Sequence, residues 1–160
     1  MKIEILNKKE KEEVLERLSY LGKLKTENLF IRTSEKIRMF SGHLDKEEIK
    51  KIWRSFMIEG IGLYTIKDIV NIKKNIKETR LSLDALHYFK DQIKKSIIEI
   101  DEEQKNQWFK GEAIALSEKQ KEKIKSEIIA LKFKNDFIGT GKIKENKIYN
   151  YLPKERRIKN

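Results

Sequence analysis

The chain has 160 residues, of which 38% are hydrophobic, enough for one domain or two small ones. It contains no cysteine, which excludes disulfides, thiolate metal sites and a cysteine nucleophile. The formal net charge of +11 favours a polyanionic partner, such as nucleic acid, an anionic membrane face or an acidic protein. Since no apolar run has the length of a signal peptide or a membrane span, we expect a cytoplasmic protein.

The chain begins with a predicted strand and a predicted helix. Residues 2–6 alternate in polarity, which is typical of a strand. Asn7 is a favourable N-cap, and Glu10 completes a capping box three residues later, so a helix is expected to begin there. Gly22 is a natural residue for the C-terminal end of this helix.

A hairpin and a second helix are predicted next. Residues 28–33 and 36–40 have the pattern of two strands joined by a tight turn. Asp45 and Glu48 form a second capping box ahead of an apolar stripe, which predicts a helix. The predicted strands and helices become shorter from about this point, and we therefore place a domain boundary near residue 58.

The remainder of the chain is predicted to consist mostly of strands. Short alternating or β-branched segments between turn residues are typical of them. The predicted strands cover residues 62–70, 79–83, 96–100, 112–116, 127–133, 137–143 and 147–152. Short helices are predicted over 84–94 and 101–107, whereas 71–77 is expected to be a loop or a hairpin tip and 118–125 a solvated connection.

These elements predict an α+β fold in two parts. Residues 1–58 are expected to form a small α/β domain, and residues 59–160 a small β barrel with short helices. The segment 147–152 alternates in polarity and is expected to be the closing strand. Pro153 suits a position just past it, and only the last few residues, from about Lys154, are expected to be free enough to adapt to a partner.

The sequence offers no pattern that supports catalysis, a cofactor or a metal. Gly139-Thr140-Gly141 lacks the third glycine and the helix of a dinucleotide fingerprint, and favours a strand bulge or a close backbone approach. The histidines, His43 and His87, have no metal-ligand spacing around them. The carboxylates lie among lysines, as on solvated helix faces, so no acid–base pair stands out. We therefore expect no enzymatic activity, no cofactor and no metal.

Basic residues are interleaved with tyrosines near the end of the chain. Residues 131–160 hold nine Lys or Arg against three Asp or Glu. Such cations can neutralise phosphates, and tyrosines can stack on unpaired bases. From spacing alone, RNA contact and an ordinary solvated surface are equally supported. Because lysine outnumbers arginine 30 to 7, codon composition or a hot environment is a further explanation of the charge.

Three segments, in this order, resemble a known family. They are LSLDALHYF (81–89), QWFKGEAIAL (107–116) and IYNYLPKERR (148–157). Together they resemble the PUA-like RNA-binding domain that closes the RsmF-type rRNA cytosine-5 methyltransferases, over about residues 60–157. The residues that match the family's pattern are Ala85, Leu86, Trp108, Gly111, Glu112, Asn150, Pro153 and Lys154. The resemblance implies that the second part is a mixed β barrel that binds RNA.

The resemblance does not extend to the enzyme. The residues ahead of it are too few for a cofactor-binding domain, and the chain lacks the cysteine that such methyltransferases use as nucleophile. After Pro153-Lys154 the family tends to continue Gly-Leu-Arg, whereas this chain has Glu155-Arg156-Arg157. A small α/β domain ahead of a PUA domain is also similar to the layout of the Nip-type ribosome-biogenesis factors.

We therefore predict a protein that binds structured rRNA or tRNA and serves RNA modification or ribosome biogenesis. The residues predicted to contact RNA are Arg80, Lys110, Lys142, Lys147, Tyr149, Tyr151, Lys154, Arg156 and Arg157. A second hypothesis is a non-catalytic adaptor that docks an RNA methyltransferase or a ribosome-assembly factor. No membrane partner is expected.

Overall fold

The computed structural model describes residues 2–56, 58–71 and 76–158. Within these ranges the chain forms ten strands, five α-helices and one 3-10 turn, arranged around two five-stranded sheets. The predicted α+β class is therefore confirmed. None of the helices in these ranges is long and apolar enough to cross a membrane.

The first sheet is built from the strands of the first half of the chain. Its strands, antiparallel and in chain order, are β1 (Glu4–Ile5), β2 (Leu29–Thr33), β3 (Lys36–Phe40), β4 (Leu63–Asn71) and β5 (Ile76–Leu81). β2 and β3 form the predicted hairpin, with Thr33 paired to Lys36. Of the loop or hairpin tip predicted over 71–77, residues 72–75 lie outside the described ranges, while the flanking strands β4 and β5 pair as far as Asn71 and Ile76.

The first sheet crosses the position of the predicted domain boundary. β3 precedes residue 58 and β4 follows it, yet the two strands pair, for example between Ile37 and Ile66. Strand pairing therefore continues across this position. The division into residues 1–58 and 59–160 stays a prediction.

Both predicted capping boxes are present. The helices in the described ranges are α1 (Lys8–Glu16), α2 (Lys46–Ser55), α3 (Leu83–Tyr88), α4 (Glu102–Lys110) and α5 (Glu118–Lys121). Ahead of α1, Asn7 Oδ1 accepts from the Glu10 backbone N–H at 3.0 Å, and the Asn7 N–H donates to Glu10 Oε2 at 2.7 Å. Asp45 and Glu48 exchange the same two hydrogen bonds ahead of α2. These bonds satisfy N–H groups that the first helical turn leaves unpaired.

The second sheet is mixed and curls into a half barrel. Its strands are β6 (Ile97–Glu99), β7 (Ile114–Ala115), β8 (Ile128–Phe133), β9 (Asp136–Lys144) and β10 (Lys147–Asn150). Their spatial order is β6-β8-β9-β10-β7, with β6 parallel to β8 and the other pairs antiparallel. Glu145 and Asn146 form the predicted turn between β9 and β10, with φ of 51° and 61°. The closing strand ends at Asn150, two residues earlier than predicted.

The buried apolar side chains form two clusters. The first lies between the first sheet, α1 and α3, and also includes Ala130 and Phe137 of the second sheet. The second cluster lies inside the half barrel around Trp108, whose indole N–H donates to the Ile138 carbonyl at 3.1 Å. Because the first cluster takes side chains from both sheets, the two sheets pack against each other.

Gly139 lets the indole of Trp108 pack directly on β9. A Cβ at this position would lie 2.6 Å from Trp108 Cζ2, and φ is +155°. Beside it, the pairing of β8 with β9 shifts register between Leu131 and Lys132. The close approach and bulge predicted for the two glycines are therefore confirmed at Gly139.

Two segments expected to be irregular are ordered. Residues 118–125 contain α5, which Ser117 caps, and Ile124 packs against the second cluster. After β10, the chain forms a 3-10 turn over Lys154–Arg156, and the Ile158 N–H donates to the Phe109 carbonyl at 2.8 Å. The chain after β10 is therefore ordered as far as Ile158, while the freedom of the residues from Lys154 to adapt to a partner stays a prediction.

Candidate nucleic-acid interface

A groove of about 250 Å³ lies where the first sheet meets the second. Residues of β3, β4 and β5 form one wall, and residues of β9 and of the segment after β10 form the other. The Thr140 hydroxyl donates to the Leu81 carbonyl at 2.8 Å and ties the two walls together. The charged and aromatic residues that line the groove are Lys36, Tyr64, Lys67, Arg80, Asp84, Tyr151 and Arg156.

Arg80 and Tyr151 stack within this groove. Arg80 Cζ lies 3.6 Å from the centroid of the Tyr151 ring, a cation–π contact. Burial raises the pKa of Tyr151, and the hydrogen bond to Glu78 and the negative charge of the Glu78 carboxylate add to this effect, so that the pKa is about 12. The phenol therefore stays neutral at physiological pH and acts as a hydrogen-bond donor.

Glu78 on β5 holds this pair in place. Its side chain is only 11% exposed, and its Oε2 accepts from Tyr151 Oη at 2.9 Å and from Lys142 Nζ at 3.1 Å. Its Oε1 accepts from the Arg80 guanidinium. Burial raises the pKa of Glu78, but the hydrogen bonds from Lys142 and Tyr151 and the charge of Arg80 outweigh it, so the net pKa is lowered. An ionised carboxylate thus offsets two of the predicted RNA-binding cations.

Tyr64 supplies a second aromatic ring to the groove. Lys36 Nζ lies 5.9 Å and Arg38 Cζ 6.0 Å from its ring centroid. Burial raises the pKa of the Tyr64 phenol, against the lowering effect of the charges of Arg80 and Arg38. Aromatic rings flanked by cations are suited to stacking on unpaired bases next to their phosphates.

Two further cations of the groove are paired with partly exposed carboxylates. Arg156 Nη2 lies 3.2 Å from Asp84 Oδ2, and Lys67 Nζ lies 2.5 Å from Glu35 Oε2. Exposed ion pairs of this kind contribute at most about 1 kcal/mol to stability. A phosphate can therefore replace the Asp84 carboxylate at Arg156 at little cost.

Part of the chain matches a protein-family model. Residues 95–158 match the model described as the methyltransferase RsmF PUA domain. Residues 95–158 form a PUA-like domain of the RsmF type. The PUA-like domain includes the whole second sheet, from β6 to the 3-10 turn. No curated protein matches the chain.

This match confirms the resemblance found in the sequence and shortens the part of the chain that it covers. It begins at residue 95, so the segment LSLDALHYF lies outside it, while the other two segments lie within. PUA domains are RNA-binding domains, which favours RNA as the ligand of this chain. Within the described ranges, no group of three or more His, Asp or Glu side chains is arranged to hold a metal ion.

The Asn-x-x-Pro-Lys pattern of the PUA-like domain has a structural explanation. Asn150 Nδ2 donates to the Trp108 carbonyl at the end of α4, and Asn150 Oδ1 accepts from the Leu152 N–H at 2.6 Å. These bonds fix the turn by which the chain leaves β10 ahead of Pro153. The pattern therefore positions Tyr151 at the groove.

The structure brings four of the nine predicted RNA-binding residues together. Arg80, Tyr151 and Arg156 line the groove, and Lys142 reaches its edge through Glu78. The three cations among them each form an ion pair, Arg80 and Lys142 with Glu78, and Arg156 with Asp84. Tyr151 donates a hydrogen bond to Glu78.

The other five predicted residues do not line the groove. Lys110, Lys147, Tyr149 and Lys154 are exposed elsewhere on the PUA-like domain, with Tyr149 at 42%. Arg157 turns back, and its Nε and Nη2 both donate to the Leu152 carbonyl at 3.1 Å. Contact of these five residues with RNA stays a prediction.

Sequence reasoning missed Lys36, Tyr64, Lys67 and Glu78. The first three lie on β3 and β4, in a region that the interleaving of cations with tyrosines did not single out. Lys36 and Lys67 are directly paired across the two strands, a proximity that only the folded sheet creates. Glu78 looked like a solvated carboxylate among lysines, and only the fold places it beside Tyr151, which follows it by more than seventy residues.

Proposed function

We propose that the protein binds structured RNA, either rRNA or tRNA, through the groove between its two sheets. In this proposal it serves RNA modification or ribosome biogenesis in the cytoplasm and does not itself catalyse a reaction. The observation that carries the proposal is the stacked pair Arg80 and Tyr151, which joins the first sheet to a PUA-like domain. The cations around this pair supply the charge that a phosphate backbone requires.

The size of the groove favours an unpaired nucleotide over a duplex. A space of about 250 Å³ is too small to admit a double helix. A bulged or loop nucleotide can enter it and stack near Tyr64 or against the Arg80–Tyr151 pair, as single-stranded RNA does on aromatic surfaces. Lys36, Lys67 and Arg156 are then placed to contact the flanking phosphates.

Binding to two matched RNAs tests this proposal. One is a hairpin with a single-stranded bulge, and the other is the same stem without the bulge. Fluorescence anisotropy should show tighter binding of the bulged hairpin, and affinity should fall with a log–log salt slope of about −0.7 to −0.9 for each neutralised phosphate. Equal affinity for both RNAs, or no affinity at low salt, would contradict the proposal.

A charge-neutralised variant assigns the binding to the groove. Lys36→Gln with Lys67→Gln should reduce the salt slope by about one to two phosphates. Lys119→Gln with Lys123→Gln removes the same charge from the α5 region and is the matched control. An equal loss in both variants would indicate non-specific attraction. Crosslinking the protein to RNA in cells and sequencing the bound RNA would then identify the target.

A further inference from the structure

A second and larger groove, of about 810 Å³, runs beside α1. One face of α1 forms a wall, residues 22–27 form the facing wall, and Leu29 and Phe30 of β2 contribute to the floor. This groove, which we call the α1 groove, shares no lining residue with the groove proposed to bind RNA. Nothing in the proposed RNA-binding role requires it.

The α1 groove combines an apolar floor with a basic rim. Its apolar lining residues are Leu6, Leu15, Leu24, Leu29 and Phe30, and its glutamates are Glu12, Glu16 and Glu27. The lysines are Lys8, Lys11, Lys23, Lys25, Lys46 and Lys95. All except Lys11 are exposed and form no ion pair within the described ranges. The groove therefore carries a net positive charge next to apolar surface, because its lysines outnumber its glutamates.

The wall opposite α1 is fixed before any ligand binds. Lys11 Nζ spans the groove and donates to the Thr26 carbonyl at 3.0 Å. On the outer side, the Lys25 N–H donates to Gln92 Oε1 at 2.7 Å, and Gln92 Nε2 donates to the Lys25 carbonyl at 3.1 Å. A preformed wall lowers the entropy lost on binding.

The same wall leaves backbone donors available. Within the described ranges, the N–H groups of Leu24, Thr26 and Glu27 donate no hydrogen bond to another part of the chain. A peptide that lies along a segment of this kind can pair with its main chain, while the apolar floor receives its side chains.

We infer that the α1 groove binds a segment of a partner protein in which acidic side chains alternate with apolar ones. The exposed lysines set the sign of the partner's charge, and Leu15 and Leu29 provide contacts for its apolar residues. RNA fits this groove less well. The aromatic side chain that lines the α1 groove, Phe30, is fully buried and cannot stack on a base. In addition, three glutamates of the groove would lie close to the phosphates of the RNA.

Peptide selection on the full chain tests the inference. Random short peptides are displayed, selected on the immobilised protein and synthesised, and their affinity is measured by fluorescence anisotropy. We expect the selected sequences to combine acidic and apolar residues. Lys8→Glu with Lys25→Glu should weaken their binding by about tenfold or more, because both lysines lie on the rim. The bulged hairpin RNA should bind this variant nearly as well as it binds the unmodified protein.

The matched control is Lys119→Glu with Lys123→Glu, which changes the net charge equally outside the α1 groove. Peptides without acidic residues, or equal affinity for both variants, would overturn the inference. Loss of RNA binding in the Lys8 and Lys25 variant alone would also overturn it, because the groove would then be a nucleic-acid surface. If that variant has a lower melting temperature, Lys23→Glu with Lys46→Glu, also exposed on the rim, is measured in its place.

Discussion

The guanidinium carbon of Arg80 lies 3.6 Å from the centre of the Tyr151 ring. Arg80 comes from β5 of the first sheet, whereas Tyr151 follows β10 in the PUA-like domain. Both residues also bond to the carboxylate of Glu78. Their contact shows that the proposed RNA-binding groove is a joint product of the two sheets.

We expect Tyr151→Leu to weaken binding of a bulged RNA by about 1 to 3 kcal/mol, because the variant removes the ring from the stack. Tyr151→Phe keeps the ring and should retain most of this affinity. Anisotropy titrations of both variants measure the difference. If the two substitutions weaken binding equally, the hydroxyl bonded to Glu78 matters and the ring does not.

Glu78→Gln should increase RNA affinity at neutral pH, because it removes a negative charge that Arg80 and Lys142 now share. The gain should shrink as salt rises. Glu99→Gln, an exposed carboxylate on β6, controls for the change in net charge. A weaker affinity in the Glu78 variant would mean that the carboxylate positions the cations rather than competing with the RNA.

Glu78 should also stabilise the fold in a pH-dependent way. Its folded pKa is below the usual value of 4.5, so its contribution is present above that value and is lost as pH falls through the folded pKa. Melting temperatures of the unmodified protein and Glu78→Gln should therefore differ at neutral pH and converge in acid. A constant difference at all pH values would contradict this linkage.

Tyr151 should titrate far above an ordinary tyrosine. Its pKa of about 12, against a usual 10.0, means that the folded state favours the neutral phenol. The stability this provides is complete below pH 10.0 and is lost as pH rises through about 12. The difference in ultraviolet absorbance between the unmodified protein and Tyr151→Phe should show one phenolate that forms near pH 12. A midpoint near 10.0 would show that the phenol is neither buried nor bonded to Glu78.

The two neighbouring arginines should respond differently to charge reversal. Arg156→Glu should lower RNA affinity and change the melting temperature little, because its ion pair with Asp84 is exposed on both sides. Arg157→Glu should lower the melting temperature, since its guanidinium donates twice to the Leu152 carbonyl. From the sequence alone, Arg156 and Arg157 form one basic group. Equal effects of the two variants on both measurements would contradict this division.

Much of the local structure could be predicted because its causes are local. The capping boxes at Asn7 and Asp45 and the turn at Glu145-Asn146 each depend on a few neighbouring residues, and all three form as expected. The resemblance to a PUA-like domain was also recognisable, because its residues follow one another in a fixed order.

The groove could not be predicted in full because its residues are distant in the chain. Lys36, Tyr64 and Tyr151 meet only after both sheets have formed and packed. The sequence pattern also does not reveal that the Arg157 guanidinium donates to the Leu152 carbonyl, five residues earlier. Composition indicated an excess of positive charge, but the pairing of strands determines which cations line the groove.

Phe137 and Ala130 lie in the PUA-like domain but pack into the core of the first sheet. The PUA-like domain is therefore not a self-contained unit that can be moved to another protein. A gene fusion that carries only residues 95–158 would leave Phe137 without its neighbours and would omit Arg80, Tyr64 and Glu78. Such a fusion would transfer the half barrel and only one side of the groove. The smallest portable unit that keeps the whole proposed RNA-binding groove therefore includes the first sheet.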